Sequence, residues 1–320
     1  MIGWLRFIVC AALFMGWPAR ANAVCTITGF QTTSPSTLNL GAYTVSTTPS
    51  TYVATLTVVM TLLTTGGPCK GAIALQRNTS PAQMTISPTG SSTLPYEITT
   101  IGSTTSAINF GAGAITKFIP LSSFAPPAGT LTATGTVSLS IQPKTPTTLP
   151  MAGFYVDQTL LLRGYDTFTG NAFKGQMPLA ISANVASGCA LTAPDSITVD
   201  FSSDIFAGKP RGLAQTTSFS VNCNAASKIY MSGSAMQPAT SIPMLTGFDT
   251  QINYHALASI SGASVALTTT GTTPVTSLST TRSATGSSLP VSLTLSLVAG
   301  NRLPPATYKS VLRITVDPAL

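Results

Sequence analysis

Charged residues are scarce in this chain of 320 residues, because only 7% of them are Asp, Glu, Lys or Arg. The basic residues are scattered and not interleaved with aromatics, so no nucleic-acid partner is expected. The eight carboxylates and the single histidine, His255, form no close pair suited to general acid–base catalysis. We expect His255 to be a solvent-facing strand residue and the protein not to be an enzyme. A secreted hydrolase is the alternative, which reproducible turnover would support.

The 3.6-residue apolar period of an amphipathic helix is also missing after the N-terminus. Thr, Ser, Gly, Ala and Pro dominate instead, and these residues favour strands or punctuate turns. The sequence therefore predicts an all-β protein. Alternating segments predict strands at 25–30, 38–43, 52–62, 71–77, 83–88, 94–99, 136–142 and 154–162, and in the second half at 197–201, 216–223, 228–232, 252–257, 291–298 and 308–316.

The first 23 residues have the pattern of a secretory signal peptide. Arg6 precedes an apolar run at 7–17, which is too short for a membrane anchor, and Ala21 and Ala23 frame a small-residue cleavage site. We expect the exported chain to begin at Val24, whose size disfavours lipidation of Cys25. Removing Arg6 and Arg20 lowers the formal net charge from +7 to +5.

Cysteines are few, and four of the five lie beyond the signal. They form no C-x-x-C pair and lie far in sequence from the only histidine, so no metal and no cofactor are expected. An even number in an exported protein predicts disulfides, for which four cysteines allow three pairings. The four are Cys25, Cys69, Cys189 and Cys223.

An internal repeat selects among those pairings. An offset of 154 residues aligns Cys69 with Cys223, and it also aligns 137–141 with 291–295. Two repeats of about 150 residues indicate two globular domains, at 24–186 and 187–320. The predicted disulfides are then Cys25–Cys69 and Cys189–Cys223, one in each domain. Short alternating strands with Gly/Pro turns predict that each domain is an immunoglobulin-like β-sandwich.

The segment between the repeats predicts one long strand. Pro178, Ser182 and Asn184 lie on the face that we expect to meet solvent. No comparable strand follows the second repeat before Leu320, so we expect the second sandwich to lack its final strand. The apolar face of the segment consists of Met177, Leu179, Ile181, Ala183 and Val185.

Three stretches of the second half carry a family resemblance: ISANVASGCALTAPDSITVDF, TTSFSVNC and LPPATYKSVLRITV. They resemble the spore coat protein U domain, found in subunits of archaic chaperone–usher pili. MTISPTGSSTLPYEIT in the first half is similar to the middle hairpin of that family, whereas the apolar insert at 110–127 departs from it. The resemblance implies an immunoglobulin-like fold without its last strand. It also implies that the strand before a subunit's first cysteine completes the preceding subunit.

Applied to this chain, the resemblance implies that 177–185 completes the first domain from within the chain. Because only Val24 would precede Cys25, the expected protein is a two-domain tip adhesin that accepts a strand and donates none. It implies export through the periplasm to the pilus tip on the cell surface. The implied partners of the C-terminal domain are a periplasmic chaperone, an outer-membrane usher and the next pilin subunit. The alternatives are a structural pilin or spore-coat-type subunit without adhesive role, and a glycan-specific, lectin-like tip.

Adhesion to an abiotic or host surface, with biofilm formation, is expected to involve apolar loops of the first domain. They are a loop at 163–176, a turn at 64–68 and a long connection at 100–135, whose aligned stretch at 258–288 has no aromatic residue. Exposed apolar residues suit nonspecific attachment, although a local mini-core under the loop is an alternative. The candidate residues are Phe118, Ile119, Leu121, Phe124, Pro126, Pro127, Tyr165, Phe168 and Phe173.

Overall fold

The computed structural model describes residues 25–33, 36–44, 50–64, 70–87, 90–100, 106–121, 132–146, 148–166, 172–192 and 196–318. Within them the protein is built from strands, with one short 3-10 helix at Ser202–Asp204. The prediction of an all-β fold is thus confirmed. The signal peptide and its cleavage site lie outside the described residues.

The first unit contains eleven described strands. Antiparallel β1, β3, β9 and β6 form one face, and β10, β11, β2, β4 and β5 form the other, with β6 pairing with both β9 and β5. The strands are β1 (Cys25–Thr32), β2 (Thr37–Tyr43), β3 (Tyr52–Thr64), β4 (Gly71–Arg77), β5 (Gln83–Ile86), β6 (Thr93–Thr100), β7 (Ile108–Phe110), β8 (Ile119–Pro120), β9 (Thr132–Pro143), β10 (Gly153–Asp166) and β11 (Ala172–Val185).

The two faces of the first unit enclose one apolar core. The alternation in β3 determines which side chains enter it, since Leu56, Val58 and Met60 are at most 1% exposed. Tyr52 lies on the same face of β3 but is 36% exposed, because it stands at the beginning of the strand. A Cβ atom at Gly164 would lie 2.2 Å from Cδ2 of Phe30, so the close approach of β1 and β10 requires glycine.

The second unit is a smaller sandwich. A five-stranded sheet, β12-β15-β21-β18-β19, faces a three-stranded sheet, β20-β16-β23, across a second apolar core. Its described strands are β12 (Cys189–Leu191), β13 (Ile205–Phe206), β14 (Lys209–Pro210), β15 (Ala214–Cys223), β16 (Lys228–Gly233), β17 (Gln237–Pro238), β18 (Tyr254–Ile260), β19 (Ala263–Thr268), β20 (Val275–Leu278), β21 (Gly286–Leu297), β22 (Tyr308–Lys309) and β23 (Arg313–Asp317).

The predicted Cys189–Cys223 disulfide is present. The two residues are also direct ladder partners in β12 and β15, with their Cα atoms 4.2 Å apart. The bridge therefore fixes the beginning of the second unit to its first long strand. The predicted Cys25–Cys69 pair lies outside the described residues, because residue 69 and the side chain of Cys25 are not described.

Candidate functional site

Strand β11 completes the first unit. It runs antiparallel to β10, from the Gly153–Val185 pair to the Asp166–Ala172 pair, and parallel to β2 along its other edge. The loop predicted at 163–176 is in fact largely strand, because β10 and β11 extend past their predicted ends to Asp166 and Ala172. The two strands form one long hairpin, whose connection at 167–171 lies outside the described residues.

The inward face of β11 is deeply buried. Leu179, Ile181, Ala183 and Val185 are at most 3% exposed, and Met177 packs against the same core. The expectation that Ser182 faces solvent is wrong, since its side chain is only 2% exposed. Cross-strand neighbours on both edges, Val156 and Asn39, flank this short side chain. Because β11 is paired with a strand on each edge, a short side chain on its outward face is also shielded from solvent.

The second unit differs at the matching edge. Strand β10 is paired with β4 and β5 on one edge and with β11 on the other, whereas β23 pairs with β16 on one edge only, considering the described part of the chain. Leu162 pairs with Leu75 of β4 and is 0% exposed. Ile314 pairs with Met231 of β16, yet Ile314 is only partly buried.

Residues 197–201 precede the 3-10 helix of the second unit and contribute Val199 to the border of its core. The strand predicted there is absent: the segment is irregular, Ile197 is 42% exposed and Val199 is only partly buried against the core. Its counterpart in the first unit, β2, is paired only with β11 among the described strands. Without a neighbour to supply ladder hydrogen bonds, 197–201 has no reason to adopt a regular strand. The partly buried apolar residues of 197–201 and 312–317 are Val199, Leu312, Ile314 and Val316; we call these residues, together with the edge of β23 to which no described strand is paired, the groove.

An aromatic patch lies at the far end of the first unit, where β10 ends and β11 begins. The rings of Phe118 and Tyr165 meet edge to face at 5.1 Å, and those of Tyr165 and Phe173 at 5.8 Å. The guanidinium carbon of Arg163 lies 5.6 Å from the centre of the Phe173 ring. Two of the predicted regions, 100–135 and 163–176, therefore meet here. We call Phe118, Tyr165, Phe173 and Arg163 the aromatic patch.

The third predicted region begins near the same end. Thr64, the first residue of the predicted turn, pairs with Cys25 in the ladder of β1 and β3. Ile27 lies two residues after Cys25, and its N–H donates to Oδ2 of Asp166, the last residue of β10, at 3.4 Å. The rest of the turn lies outside the described residues.

The adhesion candidates differ in how exposed their side chains are. Phe173 is 52% exposed and Phe118 is partly exposed. The expected exposure is wrong for Ile119, Leu121 and Tyr165, which are 4%, 7% and 6% exposed; the first two belong to the core, as the mini-core alternative supposed. Phe124, Pro126, Pro127 and Phe168 lie outside the described residues.

Sequence reasoning missed Arg163, although its place two residues before Tyr165 on an alternating strand could have indicated it. It also missed a buried network in the first unit. Arg77 Nε lies 2.7 Å from Oδ2 of Asp157, and the Tyr96 hydroxyl donates to the same oxygen at 2.8 Å. Hydrogen bonds to the backbone of residues 79–83 satisfy the rest of the Arg77 guanidinium. This network is enclosed in the sandwich and does not face a surface.

A joint connects the two units through Asn224, which is 2% exposed. Its side-chain amide donates to the Ala186 carbonyl and its side-chain oxygen accepts from the Gly188 N–H, both at 2.8 Å. Its backbone carbonyl accepts from the Ala152 N–H at 3.0 Å, just before β10. Asn224 of the second unit is thus hydrogen-bonded to the residue after β11, to the linker and to the residue before β10. No sequence pattern distinguishes Asn224 from other asparagines.

His255 is exposed on β18, as expected. The described residues contain no group of three or more His, Cys, Asp or Glu side chains arranged to hold a metal ion. Within the same residues, no helix is long and apolar enough to span a bilayer.

Comparison with known proteins finds distant similarity to solved structures. No protein-family model and no curated sequence matches the chain, so the resemblance to the spore coat protein U domain rests on the quoted stretches alone. A chain of the CsuC–CsuE chaperone–tip adhesion subunit complex from archaic chaperone–usher Csu pili of Acinetobacter baumannii is similar over 92% of this chain and 100% of that chain, at 12% identity and a TM-score of 0.41.

Two other similar structures are adhesins. CfaE, the adhesive subunit of CFA/I fimbria of enterotoxigenic Escherichia coli, is similar over 89% of this chain and 93% of its own, at 12% identity and a TM-score of 0.37. The CupB6 tip adhesin of Pseudomonas aeruginosa is similar over 92% of this chain and 96% of its own, at 10% identity and a TM-score of 0.31.

Proposed function

We propose that this protein is a non-enzymatic adhesive subunit of an archaic chaperone–usher pilus. The observation that carries the proposal is the difference between two equivalent edges. In the first unit, β11 pairs with the edge of β10 and buries its inward side chains. In the second unit, β23 has an edge to which no described strand is paired, with half-buried apolar side chains beneath it. The second unit therefore receives a strand from another protein.

The energetics favour such a partner. Full burial of one apolar side chain contributes roughly 1.5–3 kcal/mol. Val199, Leu312, Ile314 and Val316 are all only partly buried, so an added strand would gain from each of them. About half of that value from each of these four side chains, together with the burial of the apolar side chains of the added strand, is comparable with the net stability of a small domain, which is about 5–15 kcal/mol. A periplasmic chaperone and then the next pilin subunit would cover this groove in turn, and an outer-membrane usher would assemble the fibre.

The first unit supplies the adhesive end in this proposal. It takes its last strand from its own chain, so it needs no partner strand and suits the tip of a fibre. The aromatic patch lies at the end of β10 and β11 that is remote from the second unit, with Phe173 exposed. The free energy of attachment to an apolar surface becomes more favourable with contact area and needs no matching polar partner. The protein would thereby mediate surface attachment and biofilm formation from the cell surface.

The missing-strand interpretation can be tested by grafting. A copy of residues 167–185 appended to the C-terminus of the full chain would form with β23 the hairpin that β10 and β11 form in the first unit. The graft should raise the unfolding temperature of the second unit by about 10 °C or more, because each kcal/mol shifts a unit of this size by several degrees. The matched control carries the same graft with the copies of Leu179 and Ile181 replaced by Asp. Equal melting of the chain with and without the active graft would refute the proposal.

A further inference from the structure

Three loops of the second unit meet at its end opposite the first unit. The Leu303 N–H donates to the Gly208 carbonyl at 2.8 Å, and the Asp249 N–H donates to the Arg302 carbonyl at 2.8 Å. Phe248 forms a bridge with Arg302, and its N–H donates to the Leu245 carbonyl. Residues 206–213, 244–249 and 300–303 therefore form one continuous surface.

This surface exposes large apolar side chains. Phe206 is 64% exposed, Leu213 50%, Met244 88% and Leu245 44%. Scattered exposed apolar residues are ordinary, but four of them on adjoining loops are typical of an interaction site.

Positive charge accompanies these apolar residues. The guanidinium carbon of Arg211 lies 4.1 Å from the centre of the Phe206 ring, and Lys209, Arg211 and Arg302 are all exposed. The described carboxylates of these loops, Asp204 and Asp249, accept hydrogen bonds from Gln215 and Asn301 instead. Aromatic residues, Met and Arg are the types enriched at protein–protein contacts. We call Phe206, Arg211, Leu213, Met244, Leu245 and Arg302 the basal patch.

The direction of the missing strand specifies what meets this patch. A strand that occupies the position of β11 runs antiparallel to β23, so it enters near Asp317 and leaves near Arg313. The Asp317 end pairs with Lys228, close to Asn224 and the first unit, whereas the Arg313 end lies on the side of the basal patch. The donor chain must therefore emerge beside the patch.

The first unit shows how soon a folded body follows such a strand. Only Ala186, Ser187 and Gly188 separate the end of β11 from β12 of the second unit. The second unit consequently touches the base of the first, with Asn224 bonded to Ala152. A donor subunit joined by an equally short linker would bring the loops at its nearest end into contact with the end of the second unit that carries residues 206–213, 244–249 and 300–303.

We propose that the basal patch docks the body of the subunit that donates the missing strand, and that this body presents an apolar surface bearing carboxylates. The inference rests on the proposed function and adds a second contact to it, outside the groove. Opposite charges on the two surfaces would steer the donor into alignment before its strand is inserted.

Methionine oxidation tests the contact in the natural assembly. The probe is hydrogen peroxide, applied to the free full chain and to fibres isolated from cells that express it. Met244 should oxidise at least about fivefold more slowly in fibres, because oxidation of methionine follows its exposure. Met151, which is 46% exposed in the first unit, is the internal control and should oxidise equally in both states. Equal oxidation of Met244 in the two states overturns the proposal.

A charge reversal tests the recognition. The double variant R211E/R302E should lower the fraction of chain recovered in fibres about tenfold, since buried contacts of this kind account for most interface energy. The charge-retaining R211K/R302K should remain close to the unmodified chain, and M244S provides a milder second variant. Thermal unfolding of each purified chain confirms that it folds. Unchanged incorporation of both R211E/R302E and M244S contradicts the proposal.

The two proposals fail differently. If the chain is absent from fibres altogether, the proposed function is wrong. If it is present and the amides of β23 are protected from hydrogen exchange, but Met244 oxidises freely, only the basal contact is wrong.

Discussion

At the scale of single residues, Asp157 is a deeply buried carboxylate of the first unit with several hydrogen-bond donors. Its side chain is 1% exposed and accepts hydrogen bonds from Arg77, Tyr96 and both the N–H and the hydroxyl of Thr159. Burial alone raises the pKa of Asp157, but the hydrogen bonds from Thr159, Tyr96 and Arg77 outweigh it and hold the pKa below its ordinary value of 3.8. Burial and the nearby Asp157 charge also raise the pKa of the Tyr96 hydroxyl well above its ordinary range.

Replacing Asp157 with Asn should destabilise the first unit by roughly 3–5 kcal/mol, because it leaves the Arg77 guanidinium buried without its counter-ion. Urea denaturation of the full chain measures the loss. Glu97→Gln is the control, since the Glu97–Lys144 pair is partly exposed and worth little. A loss no larger than that of the control would mean that the network is not a stabilising one.

The depressed pKa of Asp157 also predicts a dependence on pH. Its contribution is fully present above the unfolded value near 4 and is lost as the pH falls through the lower folded value. The first unit should therefore become less stable below about pH 4. The D157N variant should lack that part of the decline in the free energy of unfolding. Urea denaturation at a series of pH values from about 6 to about 2 measures the difference.

At the scale of elements, we expect β11 to hold the first unit together. Leu179→Asp with Ile181→Asp places two unpaired charges in the core, so the first unit should fail to fold cooperatively. Pro178→Asp with Asn184→Asp makes the same change in charge on exposed positions of the same strand and should be tolerated. Protease resistance and thermal unfolding distinguish the two. Equal tolerance would show that this segment is a linker without a structural role.

Alternation along the chain predicts strands well where the segment has a paired neighbour. β4 has the predicted bounds, and β3, β6, β9 and β10 lie within a few residues of theirs. The pattern fails where pairing is decided elsewhere in the fold: 197–201 alternates but has no partner strand among the described residues. It also says little of short elements such as β13 and β17, which depend on tertiary contacts.

The candidate site could likewise be predicted only in part from the sequence. The apolar face of β11 could be predicted from the sequence, because period-2 alternation directly encodes which face is buried. The burial of Ser182 could not, because it depends on strands that are distant in sequence flanking both edges of β11. Nor could sequence alone separate Phe173, which is exposed, from Ile119 and Leu121, which complete the core. Apolar loop residues have the same composition in both roles.

At the scale of the whole molecule, the aromatic patch and the groove lie in different units, so adhesion and assembly should be separable. Replacing Phe118 and Phe173 with Ser should reduce attachment of piliated cells to a hydrophobic surface several-fold, because the contact loses apolar area. Phe154→Ser is the matched control, since Phe154 is 48% exposed, close to the 52% of Phe173, but lies at the other end of β10. Undiminished attachment at normal pilus numbers would refute the role of the patch.

The joint should set how rigidly the two units are connected. Asn224→Ala removes the side-chain bonds to Ala186 and Gly188, so the Gly188 amide should exchange hydrogen faster, by about tenfold for each 1.4 kcal/mol lost. Asn222→Ala is the control, because Asn222 lies two residues before Asn224 and its side-chain oxygen accepts from the Ser288 N–H of β21 instead of the linker. Identical exchange at Gly188 in both variants would show that the linker is held by other contacts.

The long pairing of β11 has a mechanical consequence for a fibre under flow. Tension that arrives from the second unit passes through the Cys189–Cys223 bridge and the short linker, and pulls on β11 along its own axis. Ladder hydrogen bonds cross that axis, perpendicular to it in the antiparallel pair with β10 and slanted in the parallel pair with β2, so they must be sheared together and cannot be peeled apart one at a time. In the proposed adhesive subunit, tension would thus act along the direction in which the first unit best resists unfolding.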